Sequence, residues 1–276
     1  MKLLFLGDIV GRAGRDAVIA ALPGLRERLK LDFVVVNAEN SAAGFGLTPK
    51  IADELFAAGA DCLTLGDHAF DQKEMLTHLG AETRILRPLN FAKVAPGLGA
   101  RLFEAPRGKR VLVAVALGRI FMSKPYDDPF SALETALKKH PLGAGADAVI
   151  VEIHAEATSE KMAVGHYFDG NASLIVGTHT HVPTGDAVIL SRGTGYQTDA
   201  GMCGDYDSVI GMEKTEPLRR FITGMSGGRF SPGDGAATVS GVFVETRPDG
   251  RAARIASLRL GGRLAETGPE GFAPTG

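Results

Sequence analysis

Short apolar runs alternate with longer stretches of helical period along this chain, and the two periods predict an α/β layered fold. Runs at 3–6, 33–36, 62–65, 111–117, 148–153 and 174–176 end abruptly in polar residues and read as buried strands. Between them the spacing predicts helices over 16–30, 49–58, 131–139 and 160–167. Thr48 before Pro49 is an N-cap followed by proline at the first helical position, which makes that boundary the sharpest. Pro23 lacks an amide proton, so a kink or break is expected inside the first helix. After residue 186 the pattern shifts to segments 188–190, 196–198, 237–246 and 252–260, read as antiparallel strands, with Pro248-Asp249-Gly250 turning the last two. One domain over 1–260 is expected, followed by a loosely held Gly/Pro-rich tail at 261–276.

Composition narrows the function classes. The chain has 30 Lys+Arg against 32 Asp+Glu, a net charge of -2, and no basic cluster, which argues against a nucleic-acid polymer as partner. Its apolar runs are too short for a membrane span or a signal-peptide core. Two cysteines, Cys62 and Cys203, make no disulfide framework and fit a reducing, cytoplasmic setting. Glycine is the departure: 36 of 276 residues, nearly twice the usual ~7%, without a three-residue period, which implies many tight turns.

Open α/β sheets bind ligands beyond the carboxyl ends of their strands, so the residues that follow each run matter most. The first run ends in Gly7-Asp8, the second in Asn37-Ala38-Glu39-Asn40 and the third in Gly66-Asp67-His68. Two later runs end in His154-Ala155-Glu156 and Gly177-Thr178-His179-Thr180-His181. Each residue alone has a structural explanation as a helix cap, a turn or a core histidine; their coincidence at successive strand ends is what points to a site. Carboxylate, amide and imidazole together suit Mn²⁺, Fe²⁺ or Zn²⁺, and the lack of a Cys ligand argues against a structural zinc cage. Asp8, Glu39, Asn40, Asp67, His154, His179 and His181 are seven candidate ligands. That is too many for one tetrahedral ion and suits two ions sharing a bridging carboxylate. Arg87, Asn90 and Arg119 stand near loops that could contact phosphate, and Tyr206 sits in a Gly-rich loop; none is assigned a role.

At these residues the chain resembles the calcineurin-like metallophosphoesterases, and specifically their YmdB-like bacterial branch. The resemblance rests on Gly7-Asp8-Ile9-Val10-Gly11 with Gly14-Arg15-Asp16, on Asn37-Ala38-Glu39-Asn40, and on Asp127-Asp128-Pro129-Phe130. It continues through His154-Ala155-Glu156-Ala157-Thr158-Ser159-Glu160-Lys161, Val176-Gly177-Thr178-His179-Thr180-His181-Val182 and Tyr196-Gln197-Thr198-Asp199-Ala200-Gly201-Met202. It spans residues 1 to about 260.

The resemblance implies a four-layer α/β/β/α sandwich with two divalent ions, Fe or Mn foremost and Zn third. It implies hydrolysis of cyclic nucleotides of the 2′,3′-cAMP type by metal-activated hydroxide, with a small phosphoester as the partner molecule and homo-oligomerisation left open. Carried over by position, Asp8, Asn40, Glu39 and His181 would serve one ion. Glu39 would bridge to a second, held by Asp67, His154 and His179, and His68 would be the general acid. Where the superfamily usually has Asn in a Gly-Asn-His motif, this chain has Asp67, which adds a negative charge to the site. Two other readings within this frame are a regulatory phosphoester-binding protein with little turnover and a broader phosphomonoesterase. A dinucleotide-binding oxidoreductase is disfavoured: Gly7, Gly11 and Gly14 do not have the G-x-G-x-x-G spacing, and Asp8 would oppose a pyrophosphate.

Overall fold

The computed structural model describes residues 1–272. The strands are β1 (Lys2–Leu6), β2 (Asp8–Ile9), β3 (Phe33–Asn37), β4 (Cys62–Thr64), β5 (Ile85–Leu86), β6 (Ala100–Ala105), β7 (Lys109–Leu117), β8 (Ala148–His154), β9 (Leu174–Thr178), β10 (Val188–Ile189), β11 (Gly195–Gln197), β12 (Met202–Asp205), β13 (Ala237–Thr246) and β14 (Ala252–Leu260). The helices are α1 (Gly11–Leu29), α2 (Pro49–Ala58), α3 (Met75–Ala81), α4 (Pro129–Lys139), α5 (Thr158–Tyr167) and α6 (Thr215–Thr223).

These strands form two sheets. One runs β2-β12-β13-β1-β3-β4-β5, with β14 added along β13; the other runs β10-β11-β9-β8-β7-β6. Period-two alternation sorts the residues of each sheet onto two faces. In the first, Leu3, Phe5, Phe33 and Val35 join Val113, Val115, Ile150 and Val176 of the second in a shared buried cluster. Their neighbours Leu4, Leu6, Val34 and Val36 pack instead on Val18, Leu22 and Leu25 of α1 and on Ile51 and Leu55 of α2. On the far side, Leu112, Ala114, Val149 and Val151 pack on Leu133 and Leu137 of α4 and Val164 of α5. The layers therefore run helix, sheet, sheet, helix, as expected of an α/β/β/α sandwich.

Local signals explain most of the boundaries. Thr48 accepts a hydrogen bond from the Ile51 amide at 3.4 Å, and Asp128 caps α4 by accepting from the Phe130 and Ser131 amides. The hairpin of β13 and β14 has the predicted bounds, and Gly250 at φ 85° closes its turn with a 3.0 Å amide bond to the Arg247 carbonyl.

Two expectations are corrected. The first helix starts at Gly11 and continues unbroken through Pro23, because Val18, Leu22, Leu25 and Leu29 bury one face and outweigh a single lost hydrogen bond. Strand β11 is antiparallel only to β10; it pairs in parallel with β9, extending the parallel part of its sheet. After residue 260, Thr267 exchanges backbone hydrogen bonds with Arg259, and the Arg28 guanidinium lies 4.3 Å from the Phe272 ring. The last four residues of the expected tail lie outside the described residues. Both cysteines are fully buried and unpaired. No helix among the described residues is long and apolar enough to cross a membrane.

Candidate metal centre

The parallel strands of both sheets point their carboxyl ends to the same edge, and the seven candidate ligands meet there. Donor atoms of Glu39, Asp67, His154 and His179 form one group within 4.8 Å of one another, and those of Asp8, Glu39 and His181 form another. Glu39 belongs to both. Its Oε1 lies 3.1 Å from His154 Nε2 and accepts from Asn40 Nδ2 at 3.2 Å, while Oε2 accepts from the His68 amide at 3.3 Å. Gly66 permits this approach: a Cβ there would fall 2.3 Å from both Glu39 Oε2 and His154 Nε2.

Each histidine is fixed by what its other ring nitrogen touches. His181 Nδ1 lies 2.7 Å from the Ile210 carbonyl, which can only accept, so Nδ1 carries the proton and Nε2 keeps its lone pair. Thr178 donates its hydroxyl proton to Glu152 at 2.7 Å, so its oxygen accepts from His154 Nδ1 at 2.8 Å, which turns Nε2 toward Glu39 and Asp67. Glu152 in turn accepts from Asn37 Nδ2 at 2.6 Å, linking the two sheets beneath the site; burial raises its pKa to about 7. His179 and His181 stand at φ 93° and 65°, a left-handed conformation that turns successive imidazoles toward different donor groups. Thr180 between them donates its amide at 3.3 Å and its hydroxyl at 2.7 Å to Asp199 Oδ2. The same oxygen accepts from the buried Lys161 ammonium at 2.7 Å. Gly177 carries this loop against the next strand; a Cβ there would stand 1.8 Å from the Thr198 carbonyl oxygen.

The electrostatics are those of a site short of positive charge. Asp8, Glu39 and His154 are fully buried, and burial raises the Asp8 pKa. Burial works against charge on His154, but Glu39 and Asp67 outweigh it and push the imidazole well above its usual range. The Asp67 carboxyl, despite burial, is held below its usual range by hydrogen bonds with His154 and His179. Asp8 Oδ1 and Asn40 Oδ1 are buried without any hydrogen-bond partner. Buried oxygens of this kind cost free energy unless something accepts their lone pairs, and a divalent cation would do so. The donor set thus fits divalent metal.

His68 borders the same cleft. Its Nδ1 lies 2.7 Å from Asp71 Oδ2, and its ring meets Phe45 edge-on at 5.2 Å. Burial lowers its pKa, but Glu39, Asp67 and the Asp71 hydrogen bond prevail and raise it above the ordinary value.

The sequence reading missed the cleft's apolar wall. A cavity of about 590 Å³ is lined by Glu39, Asn40, His68, His179 and His181. Phe45, Ile210, Met212, Phe221 and Phe230 line more of it. It also missed Glu156, whose carboxylate stands 3.4 Å from His179 Nε2, although the residue lies inside a quoted motif. The arginines noted near loops serve elsewhere. Arg87 is buried and donates to the carbonyls of Pro88 and Ala95, and the Arg119 guanidinium lies 3.9 Å from the Asp128 carboxylate. Asn90 ties Leu117 to Asp127, and the Tyr206 hydroxyl donates to the Met202 carbonyl at 3.0 Å.

Two facing sheets with acids, an amide and histidines gathered at one edge define an α/β sandwich of the metallophosphoesterase type. A family model described as YmdB-like protein matches residues 4–258, and the chain belongs to that family. A Bacillus subtilis protein named 2′,3′-cyclic-nucleotide 2′-phosphodiesterase is 42% identical over 249 residues, covering 89% of this chain and 91% of that protein. Among solved structures, a hypothetical protein of Thermus thermophilus superposes with a TM-score of 0.88 at 43% identity, covering 95% of this chain and 100% of that one. A structure described as a novel phosphatase from Mycoplasma pneumoniae gives 0.87 at 35% identity, covering 95% and 93%.

Proposed function

We propose that this chain is a phosphodiesterase with two divalent ions, acting on 2′,3′-cyclic nucleotides. The observation that carries the reading is Glu39, shared by two donor groups, with the unpartnered buried oxygens of Asp8 and Asn40 beside it. Asp8, Asn40 and His181 complete one ion's ligands, and Asp67, His154 and His179 the other's, with Fe²⁺ or Mn²⁺ foremost and Zn²⁺ third. When bound, the ions lower the pKa of the attacking water and offset charge on the phosphoryl oxygens. The chain's own residues do the rest. His181 and His154 keep their Nδ1 protons on the Ile210 carbonyl and the Thr178 hydroxyl, so Nε2 is the atom each would turn to an ion. His68, with Nδ1–H directed to Asp71, gives its Nε2 proton to the ribose oxygen as the phosphorus–oxygen ester bond breaks and water oxygen adds to phosphorus. The product is a nucleoside monophosphate. Two buried, unpaired cysteines support a reducing cytoplasm as the working compartment.

A second reading, phosphomonoester hydrolysis, is favoured by the Mycoplasma pneumoniae relative described as a phosphatase. One experiment tests both. The purified protein is analysed for metal and then assayed, with Mn²⁺ or Fe²⁺, on 2′,3′-cAMP beside phosphomonoesters and other diesters. Two equivalents of metal with preferential turnover of the cyclic diester are expected. Preference for monoesters would favour the second reading, and a protein that binds no metal and hydrolyses nothing would overturn both.

A further inference from the structure

The apolar wall beside the metal donors is unusual for a surface in water. Phe221 of α6 is 84% exposed and Ile210 is 54% exposed, yet both line the cleft. Large apolar side chains left in water inside a concave site are a ligand-binding feature, since a bound apolar group would cover them. Ile210 is held there at φ 46°, a left-handed backbone that a β-branched residue adopts only under constraint. That conformation accompanies a carbonyl bonded to His181 Nδ1, so the residue that fixes a donor histidine also builds the wall. On the other flank, Phe45 contacts His68 at 5.2 Å between ring centres. The wall is therefore continuous with the donors at two points.

Its rigidity comes from Arg220. The guanidinium stacks on Phe230 at 3.9 Å from the ring centre, and it donates Nε to Glu216 and Nη2 to the Gly228 carbonyl, both at 2.7 Å. These contacts lock α6 to the segment that follows it and fix Phe230 beside the cleft. Aromatic rings, one of them backed by a guanidinium plane, are the chemistry that stacks a nucleobase.

We infer that Phe221, Phe230 and Ile210 form a nucleobase platform that selects cyclic nucleotides over phosphodiesters lacking a base. This rests on the proposed phosphodiesterase reading and adds where the discrimination resides: in α6 and the loops on either side of it, not among the metal donors. The platform contributes binding common to ground and transition states, so its loss shows in KM.

The test compares 2′,3′-cAMP with glycerol 1,2-cyclic phosphate, the same type of ester without a base, in wild type, Phe221→Ala and Phe221→Trp. Because Phe221 is mostly exposed, the substitution leaves the core intact. Phe221→Ala is expected to lower kcat/KM on 2′,3′-cAMP at least about fivefold through KM, leaving the glycerol ester unchanged, with Phe221→Trp near wild type. Equal loss on both substrates, or no loss on 2′,3′-cAMP, would overturn the platform. Binding of adenosine 3′-monophosphate by calorimetry in Mn²⁺ keeps the test independent of turnover. Should wild type hydrolyse neither ester, the phosphodiesterase reading fails. The platform still stands if the nucleotide binds and Phe221→Ala weakens it at least about fivefold, and it falls if binding is absent or unchanged.

Discussion

Replacing Lys161 with methionine isolates the device that holds the histidine loop. The ammonium and the Asp199 carboxylate are 0% and 1% exposed and 2.7 Å apart. Methionine keeps most of the aliphatic stem, so little cavity opens, and the loss is electrostatic. Asp199 would keep its bonds from Thr180 and from the Gly201 amide at 2.8 Å, all neutral donors, and would remain a buried charge without a counter-ion. Breaking a buried pair from one side costs ~3–5 kcal/mol, and the surviving donors argue for the lower end, about 3 kcal/mol. With an m-value of about 3 kcal/mol per M, the urea midpoint falls by about 1 M. The measurement is made in excess EDTA for every variant, so that metal binding does not add stability by mass action. The double variant Lys161→Met with Asp199→Asn removes both charges and should recover part of the loss. A single-variant cost below about 1 kcal/mol, or a double variant no better than the single one, would refute the reasoning.

Three further outcomes are expected. His68→Ala should abolish most turnover while both ions stay bound, with the largest loss on diesters with poor leaving groups; metal loss in parallel would show that His68 only orients Asp67. Asp67→Asn removes a negative charge from the Glu39–His154–His179 group, so metal occupancy there should fall and phosphodiester binding should strengthen, read by metal analysis and KM; unchanged values would count against an electrostatic role for Asp67. Asp186, although burial opposes its charge, is held below the usual carboxylate range by Thr184 and Thr198. A lowered folded-state pKa gives stability that is present above the unfolded-state value of ~3.9 and lost as pH falls through the folded one. The stability gap between wild type and Asp186→Asn should therefore be full at neutral pH and shrink below about pH 4; a gap independent of pH would exclude this linkage.

The sequence by itself determined the elements whose cause is local. Thr48-Pro49 sets the start of α2, Pro248-Asp249-Gly250 turns β13 into β14, and the apolar runs become β3, β4, β7, β8 and β9 because a strand buried on both faces needs no alternation. Placing Asp8, Glu39, Asp67, His154 and His179 at one edge also followed, since parallel strands carry their carboxyl ends the same way. Tertiary structure decided what depends on distant pairing. Strand β13 inserts between β12 and β1, more than 200 residues from the latter, and no local period encodes that neighbour. The sharing of Glu39 between donor groups depends on the two sheets packing face to face. The left-handed turns at His179 and His181 depend on Asp199, which gains its counter-ion from α5. The aromatic wall was least legible, because its residues come from the loop at 45, the turn near 210, α6 and the segment after it, and no single sequence period spans them. Sequence pattern reports what a segment buries against its own neighbours; a cleft is made of what several segments leave uncovered.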